Sequence, residues 1–406
     1  MLNKALRKLM PMDAGELLRR AQKQSPQQSV VNPPLETALH HLLDDLEHEA
    51  SLTPIGHLIA WNDIKRLLIN RAHLAADREH WPGIAEQPVN RPIFITGLPR
   101  SGTTLLHGLL ASNPGLRAPL TWEVMAPSPP PGACSAGELN KRIRRARRNL
   151  GWFDRLAPGF QAVHEVGAEL PQECIAITAH SLRSLRFLVT YRLPRYAGYL
   201  AQTDMRDVYQ DHRRFLQQLQ FGREPCQWVL KAPAHLTSLD ALAEVYPDAL
   251  VVQTHRDPVS TLPSLASLRV RARSAFASRV NSGEVGAEVT DYWARALEHS
   301  HRVRQHYNLE VIDVDYDALV HQPLATLENL YRQAGLAWSG ETDACARAYL
   351  ERNPQGKHGQ HRYQASDFGL SEAGLSEAFR AYRQRMGWDL PEGSPETPET
   401  GEAIND

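Results

Sequence analysis

The sequence predicts an α/β fold built on a central, mainly parallel sheet, and three observations carry that reading. Short apolar runs of strand length recur from residue 93 onward: Ile93-Phe94-Ile95, Gln227-Trp-Val-Leu-Lys231, Ala249 to Thr254, and Leu309 to Val314. Helix-period stretches separate them, and strands alternating with helices imply parallel pairing, because a parallel crossover needs a long connection. Ahead of residue 93 the strand signals stop, which adds an N-terminal helical extension.

In chain order, residues 1 to 88 read as helices. Leu2, Leu6 and Leu9 form a short amphipathic stretch, and Asp13 is placed to cap the next one. Leu39, Leu42, Leu43 and Leu46, then Ile64, Leu67, Leu68 and Leu74, recur at helical spacing, with Pro33-Pro34 and Pro54 as punctuation. Residues 82 to 92 link this region to the core. The stretch Lys141 to Arg148 packs six cations into eight positions and reads as a solvated helix face. A helix is expected from Phe215 to Phe221, and another through Leu236, Leu239, Leu242 and Val245 until Pro247-Asp248 ends it. Residues 391 to 406, acidic and proline-rich with little apolar content, lack the composition of a packed segment.

The chain has 406 residues, enough for a sizeable core. Its formal net charge of -1 gives no global pull toward nucleic acid, so anions must be recognised by local clusters. Four scattered cysteines without a CxxC pair argue against a zinc site or a disulfide framework and fit a reducing compartment. Neither a signal peptide nor an apolar run of membrane-spanning length is evident, so the expectation is a cytoplasmic protein without stable membrane insertion.

Between the first strand and a helix carrying Leu105, Leu106, Leu109 and Leu110 lies Gly97-Leu-Pro-Arg-Ser-Gly-Thr-Thr104. Such a turn aims backbone N–H groups and the positive end of a helix dipole at one point, which makes an anion site. Pro99, Arg100, Ser101, Gly102, Thr103 and Thr104 are its candidate contacts. The spacing of Gly97 and Gly102 is that of a nucleotide-binding Walker A loop, but Thr103 stands where that motif requires lysine. A second anion signal follows the third strand: Arg256 leaves the strand and Ser264 lies eight residues on, a guanidinium and a hydroxyl placed to clamp another phosphate. A third is the loop Lys357-His358-Gly359, where a lysine beside glycine lets a cation and backbone amides approach a phosphate together.

Taken together, these elements resemble the sulfotransferases of bacterial type that use 3′-phosphoadenosine 5′-phosphosulfate (PAPS), over roughly residues 89 to 390. The resemblance implies a P-loop-like, three-layer catalytic domain, a helical extension over residues 1–88 and no metal. It implies that the loop at 97–104 holds the 5′-phosphosulfate, that Arg256 and Ser264 hold the 3′-phosphate, and that Lys357, His358 and Gly359 cover it. Lys231, at a strand end where related enzymes keep a lysine near the sulfate, is the candidate to neutralise the leaving oxygen. Glu123 is the first candidate for the base that takes the acceptor's proton, because related tyrosylprotein and heparan sulfotransferases carry a glutamate in that place. His164 is the second, with His235 as a further candidate. Two other readings stay open: a P-loop NTPase or kinase, disfavoured by the missing Walker lysine and by the lack of an aspartate at the end of strand 249–254, and a non-catalytic nucleotide-binding module. The activity the resemblance implies is in-line transfer of a sulfuryl group from PAPS to a hydroxyl or amine of a small-molecule, glycan or lipid acceptor, and a homodimer is compatible with the sequence. Trp152, Phe153, Phe160, Tyr191, Tyr196 and Tyr199 suit an apolar or phenolic alcohol and equally suit a core.

Overall fold

Five strands run parallel through the centre of the protein: β1 (Ile93–Gly97), β2 (Leu116–Arg117), β3 (Gln227–Lys231), β4 (Leu250–His255) and β5 (Glu310–Asp315), in the order β2-β3-β1-β4-β5. The computed structural model describes residues 7–24, 31–156, 167–354 and 364–388. His164, the loop Lys357 to Gly359 and the acidic tail lie outside the described residues. Four of the strands stand where apolar runs predicted them. The two-residue β2 was missed because it is too short to carry any period.

The register sets up the site. Ile95 sits opposite Lys231 and Gly97 opposite Thr254, so the carboxyl ends of β1, β3 and β4 finish side by side. β1 is the first strand in the chain and lies between two later ones, which makes its end the place where the crossovers diverge and a crevice opens. β1, β3 and β4 are buried on both faces, which explains their unbroken apolar runs, whereas the edge strand β5 alternates buried Ile312 and Val314 with exposed residues. Phe94, Trp228, Leu230 and Val251 pack with Phe215, Leu219 and Leu242 on one face. Ile93, Ile95, Val229, Leu250 and Val252 pack with Leu106, Leu110 and Leu330 on the other.

The helix expected over 236–245 is divided. A 3-10 turn spans Pro233–Thr237, and a separate helix runs over Leu239–Val245 after Ser238 donates its N–H back to the His235 carbonyl at 3.0 Å. The cationic stretch lies on the long helix Ala136–Leu156, with Lys141, Arg144 and Arg145 exposed as expected.

In the N-terminal region, the prolines that punctuate the sequence start helices. Asn32 caps Pro33–His48 and Thr53 caps Pro54–His80, each with proline in the first turn, where the missing N–H costs nothing. Asp13 caps Ala14–Gln24, its Oδ1 accepting the Glu16 N–H at 2.8 Å. The buried faces of these helices (Leu39, Leu42, Leu46, Leu67, Leu68) share one core with Leu262, Ala266, Val289 and Trp293 of the helices Pro258–Ser274 and Ser282–His306. Among the described residues, no helix is long and apolar enough to cross a membrane.

The interior holds several histidines. Burial pulls His107, His180 and His212 down to about 3 from 6.5 and drives His235 well below its ordinary value. These rings stay neutral in the folded chain, whereas the unfolded chain takes up protons as the pH drops through 6.5. The unfolded state then binds more protons, so folding stability is greatest above that pH and falls below it. Calorimetric scans between pH 7.5 and 5 are expected to show Tm decreasing continuously with pH; a constant Tm would contradict neutral burial of these rings.

Candidate active site

The loop after β1 is shaped by backbone that few residues adopt. Gly97 has φ 138°, Arg100 φ 70° and Gly102 φ 83°. A side chain at Gly97 would place its Cβ 2.3 Å from the Thr254 hydroxyl of β4, so only glycine fits there. Gly102 starts the helix Thr103–Ala111, whose first-turn amides have no partners within the helix and point out of its positive end. Ser101 is buried, and its hydroxyl lies 2.6 Å from both the Leu98 carbonyl and the Thr254 hydroxyl. That hydroxyl therefore fastens the loop to β4 and is not directed at an anion. Thr104 is exposed at the helix start, and Arg100 is exposed on the loop.

Two cations from neighbouring strand ends meet this loop. Arg256 donates from Nη1 to the Arg100 carbonyl at 2.8 Å, and its guanidinium lies 3.9 Å from the centre of the Tyr316 ring. It is held against the loop and leaves its remaining donors for a ligand. Ser264 is half-buried, about two turns along the helix that starts at Pro258. Lys231 is buried at the end of β3; its ammonium donates to the Thr104 hydroxyl at 3.3 Å and is ion-paired with Glu173. The structure thus gathers Pro99 to Thr104, Lys231 and Arg256 at one edge of the sheet.

Glu173 is the residue the sequence reading passed over. It lines a cavity of about 680 Å³ together with Pro99 of the loop and Pro233 after β3. The cavity walls are mainly apolar, with Ile175, Leu185, Val189, Leu265 and Phe276. Leu58, Ile59, Asn62, Asp63 and Arg66 of the N-terminal helix Pro54–His80 form another side. A buried lysine at a strand end demands a counter-charge. That requirement was the available signal, and the stretch Pro171-Gln-Glu-Cys174 supplies the carboxylate.

Glu123 is placed differently from the sequence expectation. Its carboxylate is fully buried, accepts from Arg117 at 2.8 Å, Arg223 at 3.0 Å and the Leu120 N–H at 3.0 Å, and does not line the cavity. Arg117 in turn lies 4.5 Å from the centre of the Trp228 ring. Glu123 therefore ties β2 and the chain before β3 together as the anion of a two-arginine clamp. Glu123→Ala is expected to lower unfolding stability by about 3–5 kcal/mol, the usual effect of removing one partner from a buried pair. Urea denaturation checks this, and a change under about 1 kcal/mol would contradict a clamp of that kind.

His235 also leaves the list of candidate bases. Its Nδ1 lies 2.6 Å from the Tyr209 hydroxyl, its ring packs edge-on to Phe94, and the cavity does not reach it. Among the described residues no group of three His, Cys, Asp or Glu side chains is gathered to hold a metal ion.

The family model described as "Sulfotransferase family" matches residues 92–340. The omega-hydroxy-beta-dihydromenaquinone-9 sulfotransferases Stf3 of Mycobacterium bovis and Mycobacterium tuberculosis are 26% identical over 260 residues, which is 60% of this chain and 63% of theirs. The crystal structure of sulfotransferase STF1 from Mycobacterium tuberculosis superposes with a TM-score of 0.80 at 31% identity, covering 91% of this chain and 98% of that one. Sulfotransferase STF9 from Mycobacterium avium superposes with a TM-score of 0.79 at 25% identity over 92% of this chain and 96% of that one. The span of the family match and the superposition on STF1 agree, and the chain belongs to the sulfotransferase family.

Proposed function

We propose that this protein transfers a sulfuryl group from PAPS to a hydroxyl of an apolar acceptor held in the 680 Å³ cavity. One observation carries the reading: Lys231 and Arg256 converge on the glycine loop at the same sheet edge where the cavity reaches Pro99 and Glu173.

The residues present fit the nucleotide. Gly97 and Gly102 let the loop turn tightly against Thr254 and Leu319, and two cations approach the loop from opposite neighbouring strands. In a P-loop-like role, the amides at the start of Thr103–Ala111, with Thr103 and Thr104, hold the 5′-phosphosulfate. Arg256 and Ser264 hold the 3′-phosphate, the guanidinium through paired donors. In this reading of a three-layer catalytic domain, one phosphate lies at the end of β1 and the other at the end of β4. PAPS supplies the activated sulfuryl group. Transfer of this kind proceeds in line through a loose transition state, so positioning and charge stabilisation dominate. Lys231 presents positive charge beside Thr104, where negative charge grows on the departing phosphate oxygen. Glu173, bound to Lys231 and facing the cavity, takes the proton from the acceptor hydroxyl. That role passes to Glu173 from Glu123 because Glu173 alone of the two reaches the cavity wall.

The N-terminal helical extension contributes the wall around Leu58 and Ile59, so its role in this reading is to shape the acceptor site. The names of the Stf3 relatives describe a hydroxylated dihydromenaquinone acceptor, an apolar chain ending in a hydroxyl, and the apolar lining here suits that class. The test is incubation with radiolabelled PAPS and a panel of long-chain alcohols, phenols and sugars. Labelled product from apolar alcohols, with little from sugars, is expected. No product from any acceptor, combined with Mg-ATP binding more tightly than adenosine 3′,5′-bisphosphate (PAP), would overturn the proposal in favour of a kinase.

A further inference from the structure

The cavity contains a polar station that transfer chemistry does not use. Arg269 and Trp293 both line it, from the helices Pro258–Ser274 and Ser282–His306, and both are buried, at 3% and 1% exposure. Arg269 Nε and Nη2 and Trp293 Nε1 have no hydrogen-bond partner among the described residues. Among the described residues, the carboxylate paired with Arg269 is Glu288, whose Oε2 lies 3.8 Å from Nη1. Glu288 is already engaged by Arg273, through bonds of 3.2 and 2.6 Å. Two buried arginines therefore share one carboxylate.

The rest of the lining leans the same way. Asp63 is paired with both Arg66 and Arg186, at 2.7 and 2.8 Å, so that cluster also carries one arginine more than it has acids. Burial pulls Arg269 down to about 10, which leaves it charged at neutral pH. An isolated guanidinium out of water is costly unless an anion meets it. A forked pair of N–H donors and an indole N–H on residues lining one cavity match the oxygens of a carboxylate or a similar anionic group.

We infer that the acceptor is an amphiphile with two polar groups: the hydroxyl presented to Glu173, and an anionic oxygen group bound by Arg269 and Trp293. This rests on reading the cavity as the acceptor site. The apolar chain between the two groups lies against Leu265, Leu268 and Phe276.

Equilibrium dialysis of radiolabelled decanoate and decan-1-ol against the full chain separates this from plain apolar binding, because neither requires sulfuryl transfer. Decanoate is expected to bind at least about tenfold more tightly. Arg269→Met is expected to abolish the preference, with PAP affinity unchanged. Trp293→Phe, which removes the N–H donor and keeps a smaller aromatic ring, is expected to reduce the preference several-fold and keeps the test valid should Arg269→Met fail to fold. Equal binding of the two probes, binding of neither, or a preference that survives both variants would overturn the inference. Failure of the wider functional reading is distinct: PAP would not bind, whatever the decanoate preference.

Discussion

Replacing Glu173 with glutamine is expected to lower kcat by about 10²–10⁴-fold, the range typical of losing a general base, while PAP affinity changes less than threefold. Glutamine keeps the shape of the side chain and can still accept from Lys231, so the polar contact at the end of β3 survives. What is lost is the ability to take a proton. The carboxylate is positioned for this because it faces the cavity beside Pro99, next to the loop that would hold the sulfuryl donor. Steady-state kinetics with a long-chain alcohol would decide the point, together with calorimetric titration of PAP. Unchanged kcat would remove Glu173 as the base. A large fall in PAP affinity would show that the residue serves to hold Lys231 rather than to catalyse.

Arg256→Ala is expected to weaken PAP binding by about 2–4 kcal/mol, the scale of removing one partner from a close charge pair, or roughly thirty- to a thousandfold in Kd. The guanidinium is anchored by the Arg100 carbonyl and the Tyr316 ring, so it is held in place before the nucleotide arrives. With PAPS saturating, kcat is expected to stay within a few-fold of wild type, because Arg256 stands beside the loop rather than beside Glu173 and Lys231. A collapse of kcat at saturation with unchanged Kd would place Arg256 in the transfer step instead.

The sequence was most informative where local chemistry is forced. Gly97 and Gly102 had to be glycine because their backbone is left-handed and, at Gly97, β4 lies in contact. Such constraints show in a single chain. Lys231 and Arg256 were legible for a related reason: a cation at the end of an apolar strand stands out, and a parallel sheet brings strand ends to one edge. Glu123 misled because residue type and order along the chain do not say which way a carboxylate faces. Its partners, Arg117 and Arg223, lie 6 and 100 residues away. Glu173 was hidden for the complementary reason, since its role depends on Lys231, 58 residues further on. The cavity was the least legible feature. Its walls come from the N-terminal helix, the segment around Glu173 and the helices after β4, and apolar contributors such as Ile59, Leu185 and Leu265 look like ordinary core positions by themselves. Arg269 gave no signal, because it is one of three arginines in its helix, with Arg271 and Arg273, and the sequence does not say which of them turns inward.

The most direct measurement compares PAP with adenosine 5′-monophosphate by calorimetry, on the wild-type chain and on Arg256→Ala. Both ligands offer the loop a 5′-phosphate, and only PAP offers a second phosphate to Arg256. With both grips intact, PAP should bind at least about a hundredfold more tightly than the monophosphate, given two or more charge-assisted bonds to the extra group, and the variant should lose most of that difference while binding the monophosphate as before. Equal affinities for the two nucleotides in the wild type, or the same loss for both in the variant, would contradict a site that holds one nucleotide by two phosphates.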